Sequence, residues 1–156
     1  MTSSDSTSGG DILAQRNKAK ASTATLSSIR DVLIVEDEDF DADRLQATLR
    51  VVLGQDAKIR RAATIASALD MVIEAMPDIV LLDDYLKPND TASQTIPFVR
   101  RAGFNGPIVI ISGEIDRRRK FELQAIGAAA ALHKEDVDSA SVSKALNTAL
   151  SDQRNG

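Results

Sequence analysis

The sequence predicts an α/β fold in which a five-stranded parallel sheet has helices on both faces. From Val32 onward, short apolar runs alternate with segments of helical period, which is the pattern of successive βα units. Four of the five runs are almost wholly apolar, as expected of strands that are buried on both faces. The chain has 156 residues, of which 43% are apolar and 27% charged, so it has material for one ordinary domain with a single core.

The five predicted strands are four or five residues long and alternate with the helical segments. They are Val32–Val35, Lys58–Ala62, Ile79–Leu82, Pro107–Ile111 and Ala129–Leu132. The second strand reads KIRRA and mixes charged with apolar residues, so we place it at an edge of the sheet.

Helices are indicated by apolar residues that recur every three or four positions and therefore share one face. These residues are Ala42, Leu45, Leu49 and Val52 in the first helix, Ile65, Leu69, Val72 and Met76 in the second, and Val142, Leu146 and Ala149 in the last, which runs from about Asp138 to Ser151. Thr64 and Asp116 are suited to N-cap positions, and Gly54, Gly103 and Gly127 each follow a predicted helix.

The folded unit is expected to cover residues 29–152. Residues 1–28 are rich in Ser, Thr, Ala and Gly and hold too little apolar material to offset the entropy of ordering, so we predict a flexible N-terminal tail. Residues 153–156 are predicted to be a disordered C-terminus. We expect no second domain.

Composition and charge exclude several classes of function. The chain has no cysteine, which excludes disulfides, thiolate metal sites and thiol nucleophiles. A formal net charge of −4 gives no general attraction for nucleic acid or acidic lipid. No run approaches the roughly 18 apolar residues of a membrane span, and the N-terminus lacks an apolar core of signal-peptide length. We therefore expect a cytoplasmic protein that binds neither nucleic acid nor membrane.

Two apolar strands end in clusters of carboxylates. Glu36, Asp37 and Glu38 follow the first strand, and Asp83 with Asp84 ends the third, which should be its neighbour in the sheet. Ligand sites of open parallel sheets lie outside the carboxyl ends of the strands, so both clusters should face one crevice. Clustered carboxylates favour a hard cation such as Mg²⁺. The alternative is that they are helix caps and solvated loop acids.

Two further polar residues point to the same crevice. The fourth strand ends in IVIISG and the fifth in ALHK, which place Ser112 and Lys134 at their carboxyl ends. A hydroxyl donor and a mobile ammonium complement a phosphoryl group held beside a metal. Each of these residues is weak evidence by itself. The combination is far more specific: acids follow strands one and three, a hydroxyl follows strand four and an amine follows strand five.

This ordered set resembles the receiver domain of bacterial two-component response regulators, over about Ser28 to Ser151. The family carries an acidic pair after the first strand, a phosphoacceptor Asp after the third, Ser or Thr after the fourth and Lys after the fifth. These positions hold Glu36 with Asp37, Asp83, Ser112 and Lys134. The resemblance implies a flavodoxin-like (βα)5 fold with strand order 2-1-3-4-5.

The resemblance also implies a Mg²⁺-dependent transfer of phosphate from a kinase phosphohistidine to Asp83. Asp37 would bind the metal directly, Glu36 would act through a metal-bound water, and the backbone carbonyl of Tyr85 would complete the protein ligands together with Asp83. The donor would be a sensor histidine kinase or a histidine phosphotransfer protein.

Two other residues would respond to the added phosphate. Lys134 would pair with the acceptor carboxylate and then with the phosphoryl oxygens, while Ser112 would rotate inward to hydrogen-bond the phosphate. In this way charge added at one point would become a loop rearrangement.

The choice of Asp83 over its neighbour depends on strand register. The lead-in PDIVLLD from Pro77 matches the family spacing to Asp83, and a shift of one residue would send the side chain to the opposite face. Against this, the family usually has a proline four residues after the acceptor, where this chain has Lys87, with Pro88 one residue later. An extra residue in this loop would reconcile the two spacings.

Three other features depart from the family or stand out from the sequence. Where the family often has an aromatic residue that reports phosphorylation, this chain has Ala131, and Glu135 replaces the proline that commonly follows the lysine. Arg117, Arg118, Arg119 and Lys120 open the fourth helix, where cations are unfavourable to the helix dipole. These cations are either a solvated basic face or a surface that docks an acidic partner.

We predict a stand-alone response regulator that acts through protein contacts, as a monomer or a phosphorylation-dependent homodimer, and that is not an enzyme beyond its own phosphorylation and slow autodephosphorylation. The alternative is a degenerate receiver that binds partners independently of phosphorylation. A phosphohydrolase would need a second Asp where Tyr85 stands. Flavin binding would need a phosphate loop where EDEDFDAD stands, and that segment would repel phosphate.

Overall fold

The computed structural model describes residues 26–155, with side chains described through residue 152. The strands are β1 (Asp31–Val35), β2 (Lys58–Ala62), β3 (Ile79–Asp83), β4 (Tyr85–Leu86), β5 (Asp90–Thr91), β6 (Ile108–Ser112) and β7 (Ala130–His133). The helices are α1 (Asp39–Leu53), α2 (Ile65–Glu74), α3 (Ala92–Arg101), α4 (Arg117–Ala125) and α5 (Ser139–Asn155), with a 3₁₀ turn at Lys134–Asp136.

The five longer strands form one parallel sheet in the order β2-β1-β3-β6-β7. This is the predicted order, and the five predicted strands agree with the observed ones to within one residue at each end. The charged strand β2 lies at an edge, as its sequence predicts, while β3 and β6 are buried along their whole length. The sheet therefore brings the carboxyl ends of β1, β3, β6 and β7 to one edge of the domain.

Two apolar layers sandwich the sheet. Alternate strand residues face opposite sides, because the side-chain period of a strand is two. Ile79 and Leu81 of β3 pack in the layer covered by α1 and α5, whereas Val80 and Leu82 pack in the layer covered by α2, α3 and α4. Continuation of this alternation past Leu82 determines which side of the sheet each functional residue occupies.

Most of the predicted helix signals are confirmed. The side chains of Thr64 and Asp116 cap α2 and α4 by accepting backbone N–H groups three residues later. Gly54 adopts a φ of 87° after α1, a region that suits glycine. Met76 was wrong as a core residue, because α2 ends at Glu74 and the side chain is 53% exposed.

The buried stripes of the helices otherwise follow the predicted spacing. The fully buried residues are Ala42, Leu45 and Leu49 in α1, Ala68 and Val72 in α2, and Val142, Leu146 and Ala149 in α5. Ala68 was not predicted, since its small side chain stands out little from an Ala-rich segment.

The ends of the folded unit differ from the predicted boundaries. Leu26 packs against the core, so the folded unit begins before residue 29. At the other end α5 continues to Asn155, so residues 153–155, which were predicted to be disordered, are helical. Residues 1–25, which make up most of the predicted tail, lie outside the described residues, as does residue 156. Within the described part of the chain, no helix combines the length and apolar character needed to cross a membrane.

The loop after β3 contains an element that the sequence did not predict. Tyr85 and Leu86 pair antiparallel with Asp90 and Thr91, forming a two-stranded hairpin before α3. These strands are two residues long, too short for an alternation of polar and apolar residues to reveal them. Pro88 lies between the two strands of this hairpin, and the extra residue suggested by its position stays a prediction.

Arg60 connects the edge strand β2 to the sheet and to α2. Its guanidinium donates to Asp31 Oδ1 at 2.9 Å, to the Met71 carbonyl at 2.8 Å and to the Ala75 carbonyl at 2.6 Å. The side chain is only 12% exposed. It therefore satisfies the Ala75 carbonyl just after α2 and adds a second hydrogen bond to the Met71 carbonyl, which also accepts the Ala75 N–H.

Replacement of Arg60 by Met should destabilise the protein by about 2–3 kcal/mol, because Asp31 and two helix-end carbonyls lose a charged donor together. Urea unfolding measures the effect. Lys58→Met, at the exposed first position of the same strand, is the matched control and should change stability by less than about 0.5 kcal/mol. Equal effects of the two substitutions would contradict this role for Arg60.

Candidate functional site

The predicted site residues come together at the carboxyl edge of the sheet. An open cleft of about 890 Å³ lies there, and Asp83, Ser112 and Lys134 are among the residues that line it. Asp83 is the last residue of β3 and Ser112 the last residue of β6, while Lys134 directly follows β7. The parallel sheet brings these three positions to one place although up to 51 residues separate them.

An acidic cluster occupies the side of the cleft nearest β1. Glu36, Asp37 and Asp83 each offer a carboxylate oxygen, and these oxygens lie within 4.8 Å of one another. Glu36 and Asp83 are each only 4% exposed. Burial, followed by the adjacent Asp83, raises the pKa of Glu36 to about 8. The cluster therefore holds more negative charge than its surroundings readily stabilise.

The Lys134 ammonium is the cation nearest this cluster. Its Nζ lies 3.2 Å from Asp83 Oδ2, 3.4 Å from Glu36 Oε1 and 3.6 Å from Asp41 Oδ2. Burial lowers the pKa of Lys134, but the carboxylates of Asp83 and Glu36 outweigh burial and raise it above its ordinary value. Lys134 is therefore fully charged at neutral pH and offsets part of the repulsion.

Two residues of α1 support Lys134 and were not predicted from the sequence. Asp41 contributes the third carboxylate around the ammonium, and Arg44 donates to the backbone carbonyls of Lys134 and Glu135 at 3.1 and 3.4 Å. Asp41 stands four residues after Asp37, so helical spacing could have placed it at the crevice. Arg44 carries no such signal, because its partners are backbone atoms 90 residues away.

The cluster fits a hard divalent cation. All three candidate ligands are carboxylates, and oxygen donors of this kind suit Mg²⁺ or Ca²⁺ rather than a metal that prefers nitrogen or sulfur. Tyr85 lies beside them, and its backbone N–H donates to Asp83 Oδ1 at 3.2 Å. The role of its carbonyl as a metal ligand stays a prediction.

Asp84 has a different environment from Asp83. Its Oδ2 accepts hydrogen bonds from the Ser112 hydroxyl at 3.0 Å and from Arg119 Nε at 3.1 Å, and its Oδ1 accepts from the second arm of the same guanidinium. The Asp84 side chain is 13% exposed. Both oxygens are therefore occupied, and Asp84 lies outside the acidic cluster.

Strand alternation explains this separation. Asp83 continues the series of Ile79 and Leu81, which faces α1 and α5, and Asp84 continues that of Val80 and Leu82, which faces α4. Ser112 continues the residues of β6 that face α4. Its hydroxyl consequently points to Asp84 rather than to Asp83.

Arg119 lines the cleft and was not singled out from the sequence among the four consecutive cations. The Asp116 side chain accepts the Arg119 N–H at 2.7 Å, which fixes the first turn of α4. The Arg119 guanidinium then reaches both Asp84 and Glu122, and the hydrogen bond to Asp84 is the main cause that raises its pKa. Four consecutive cations at a helix N-terminus indicated that this segment is unusual, but the sequence did not show which of the four faces the cleft.

Of the other cations in that group, Arg118 pairs with Glu122 and has an 89% exposed side chain. Arg117 and Lys120 are also exposed. Docking of an acidic partner by this face of α4 stays a prediction.

Solved structures with the same architecture identify the fold. No family model and no curated protein matches the chain. The Vibrio cholerae chemotaxis protein CheY4 is 24% identical over 78% of this chain and 98% of its own, with a TM-score of 0.66. A response regulator receiver domain protein from Clostridium thermocellum is 18% identical over 81% of this chain and 98% of its own, with a TM-score of 0.67. The chain has the receiver fold.

A third similar structure is the signal receiver domain of a modulated diguanylate cyclase from Desulfovibrio desulfuricans. It is 23% identical over 81% of this chain and 98% of its own, with a TM-score of 0.66. The receiver fold and its strand order, both expected from the sequence, are confirmed. The acidic cluster and Lys134 lie at the carboxyl edge of this fold, where α/β sheets bind their ligands.

Replacement of Asp37 by Asn removes one of the three clustered charges with little change in size. In the presence of EDTA it should stabilise the protein by about 1 kcal/mol, because like-charge repulsion falls. Urea unfolding is the measurement. Asp56→Asn removes an exposed acid from the loop after α1 and serves as the control, with an expected change below about 0.5 kcal/mol. Destabilisation by Asp37→Asn would show that the cluster is not repulsive.

Proposed function

We propose that the protein accepts a phosphoryl group on Asp83 and signals through contacts with other proteins. The proposal is carried by one observation, the Lys134 ammonium 3.2 Å from Asp83 Oδ2 beside the carboxylates of Glu36 and Asp37. Phosphoryl transfer is catalysed mainly by positioning and by positive charge at the transferring oxygens. This arrangement combines a carboxylate nucleophile with a fixed cation and with ligands for a second one.

The neighbouring Asp84 is a poorer acceptor. Its carboxylate is held by both arms of Arg119 and by Ser112. A nucleophile needs a free lone pair directed at phosphorus, and these hydrogen bonds would have to break first. Asp83 lines the same cleft, and its hydrogen bonds, from Lys134 to one oxygen and from the Tyr85 N–H to the other, are both 3.2 Å long, so it is held less tightly than Asp84.

Each residue of the site has a defined role in this proposal. An oxygen of Asp83 forms a bond to phosphorus as the N–P bond of a phosphohistidine breaks and leaves its electron pair on the imidazole. Lys134 binds the phosphoryl oxygens, and Ser112 turns from Asp84 to donate a hydrogen bond to one of them. Glu36, Asp37 and Asp83 would hold Mg²⁺, which when bound neutralises charge on the transferring oxygens.

The same groups account for a slow loss of phosphate without a dedicated hydrolase site. Tyr85 is 48% exposed and Glu114 is exposed, and both line the cleft beside Asp83. Neither is held by an acid or base arranged to activate water. We therefore propose a phosphoryl acceptor with slow autodephosphorylation rather than an enzyme acting on other substrates.

The partners that fit this chemistry are a sensor histidine kinase, or a histidine phosphotransfer protein, and a downstream protein target. The similarity to structures described as response regulators and receiver domains supports a role in two-component signalling. The donor must present its phosphoimidazole to the cleft at the carboxyl ends of β1 and β3.

A second candidate is a phosphorylation-independent binding module. It is favoured by the engagement of Ser112 with Asp84 and by Ala131, which leaves no aromatic side chain at that position of β7 to report a phosphate. In this alternative the hydroxyl stays with Asp84 permanently.

Incubation with acetyl phosphate and Mg²⁺ should add a single phosphoryl group to the wild-type protein, and the adduct should be absent when EDTA replaces Mg²⁺. Asp83→Asn removes the nucleophile and should abolish the adduct, whereas Asp84→Asn should retain it. Intact-mass spectrometry measures all these outcomes. The two variants are matched, because each replaces one of two adjacent acids by its isosteric amide.

Loss of the adduct in Asp84→Asn alone would show that the acceptor is one residue further along the chain. Failure of the wild type to form an adduct, with acetyl phosphate and with phosphorylated kinases alike, would favour the binding module.

A further inference from the structure

The Ser112 hydroxyl has more possible acceptors than protons. Its Oγ lies 3.0 Å from Asp84 Oδ2 and 3.2 Å from the Glu114 carbonyl, and it accepts the Glu114 N–H at 3.2 Å. A hydroxyl donates one hydrogen bond only, and the charged acceptor at the shorter distance is preferred. Ser112 therefore donates to Asp84, and it must give up this bond before it can donate elsewhere.

Asp84 in turn connects Ser112 to α4. Arg119 approaches it with two guanidinium nitrogens, the two-pronged geometry in which arginine binds a carboxylate most strongly. Arg119 also pairs with Glu122 one turn later at 3.1 Å. Ser112, Asp84 and Arg119, named here the Asp84 bridge, thus join the end of β6 to the first two turns of α4.

Helix α4, at the far end of this bridge, packs against the domain through few buried side chains. Leu123 is the one fully buried residue of α4, and the exposed side chain of Phe121 is 72% accessible. A helix with one buried anchor depends strongly on each polar contact for its position. Loss of the Arg119 contact should therefore loosen α4 measurably.

We propose that the Asp84 bridge holds Ser112 away from Asp83 until Asp83 is phosphorylated, and that transfer of the hydroxyl to the phosphoryl group releases α4. This inference rests on the proposed function and deepens it by naming how the signal leaves the site. Asp84 and Arg119 are positioning residues, since they act through Ser112 and not on the phosphoryl group.

Electrostatics favours the release. The phosphoryl group adds a charge of about −1.5 to −2 on the residue adjacent to Asp84. Asp84 then loses the hydrogen bond of Ser112 and gains a like-charged neighbour, while Arg119 gains a competing anion within the same cleft. The competing anion draws the guanidinium away from Asp84 and so weakens the Arg119–Asp84 pair, which is partly buried.

The bridge also supplies a route that does not need an aromatic residue on β7. Ala131 lies on the strand next to β6, paired with Ile110, and its side chain reaches no further than the adjoining apolar layer. A polar connection from Ser112 to α4 transmits the same event through charge instead of ring rotation.

Hydrogen–deuterium exchange of the α4 amides, with Mg²⁺ and with or without beryllofluoride, tests the proposal. Beryllofluoride binds a carboxylate as a stable mimic of the phosphoryl group, and ¹⁹F NMR reports its binding separately. In the wild type, protection of α4 should fall about tenfold on binding, near the lower limit expected for loss of one hydrogen bond to a charged group.

The variants separate the parts of the bridge. Arg119→Gln should lower the protection of α4 before beryllofluoride is added and leave little further change. Ser112→Ala should bind beryllofluoride without the fall in protection, and Ser112→Thr, which keeps the hydroxyl, should restore it. Arg118→Gln removes a neighbouring arginine whose ion pair, in the described part of the chain, is with Glu122 and not with Asp84, so it should behave as the wild type.

Two results would overturn the bridge while leaving the proposed function intact. They are a wild-type response of α4 in Arg119→Gln, and an unchanged α4 in a wild-type protein that binds beryllofluoride. If ¹⁹F NMR detects no binding and acetyl phosphate gives no adduct, the proposed function fails and the bridge as a phosphorylation device fails with it.

Discussion

Alternation of side chains along β3 sends Asp83 and Asp84 to opposite sides of the sheet, and the rest of the site depends on that separation. On one side Asp83 joins Glu36, Asp37 and Lys134, where negative charge exceeds positive charge. On the other side Asp84 joins Ser112 and Arg119, where each charge is matched. Two chemically identical neighbours thus have different surroundings: Asp83 lies beside two other acids and one ammonium, and Asp84 is held by Ser112 and Arg119.

Repulsion among the clustered carboxylates is partly offset by contacts from the residues around them. Glu36 and Asp83 are both buried, and burial, followed by the adjacent Asp83, raises the pKa of Glu36 to about 8. Lys134 offsets part of this repulsion, and Arg44 fixes the backbone from which Lys134 projects. A divalent cation held by these carboxylates would offset the remainder of the repulsion.

The sheet and the convergence of five site residues could be predicted from apolar periodicity and from where parallel strands end, and the strand order from the resemblance to the receiver family. The sequence did not predict the β4–β5 hairpin, whose strands are too short to show a period. It also could not identify Arg119 among four consecutive cations, since the choice depends on the rotation of α4 about Asp116. Contacts from a side chain to a distant backbone, such as those of Arg44, leave no trace in local sequence.

We propose that Asp83, and not Asp84, carries the phosphoryl group. Borohydride reduces an aspartyl phosphate to homoserine, so tandem mass spectrometry of the phosphorylated, reduced and digested wild-type protein locates the acceptor without any substitution. The account predicts homoserine in place of Asp83, with Asp84 unmodified. Homoserine in place of Asp84 would contradict it, because it would mean that the carboxylate held by Arg119 and Ser112 is the reactive one.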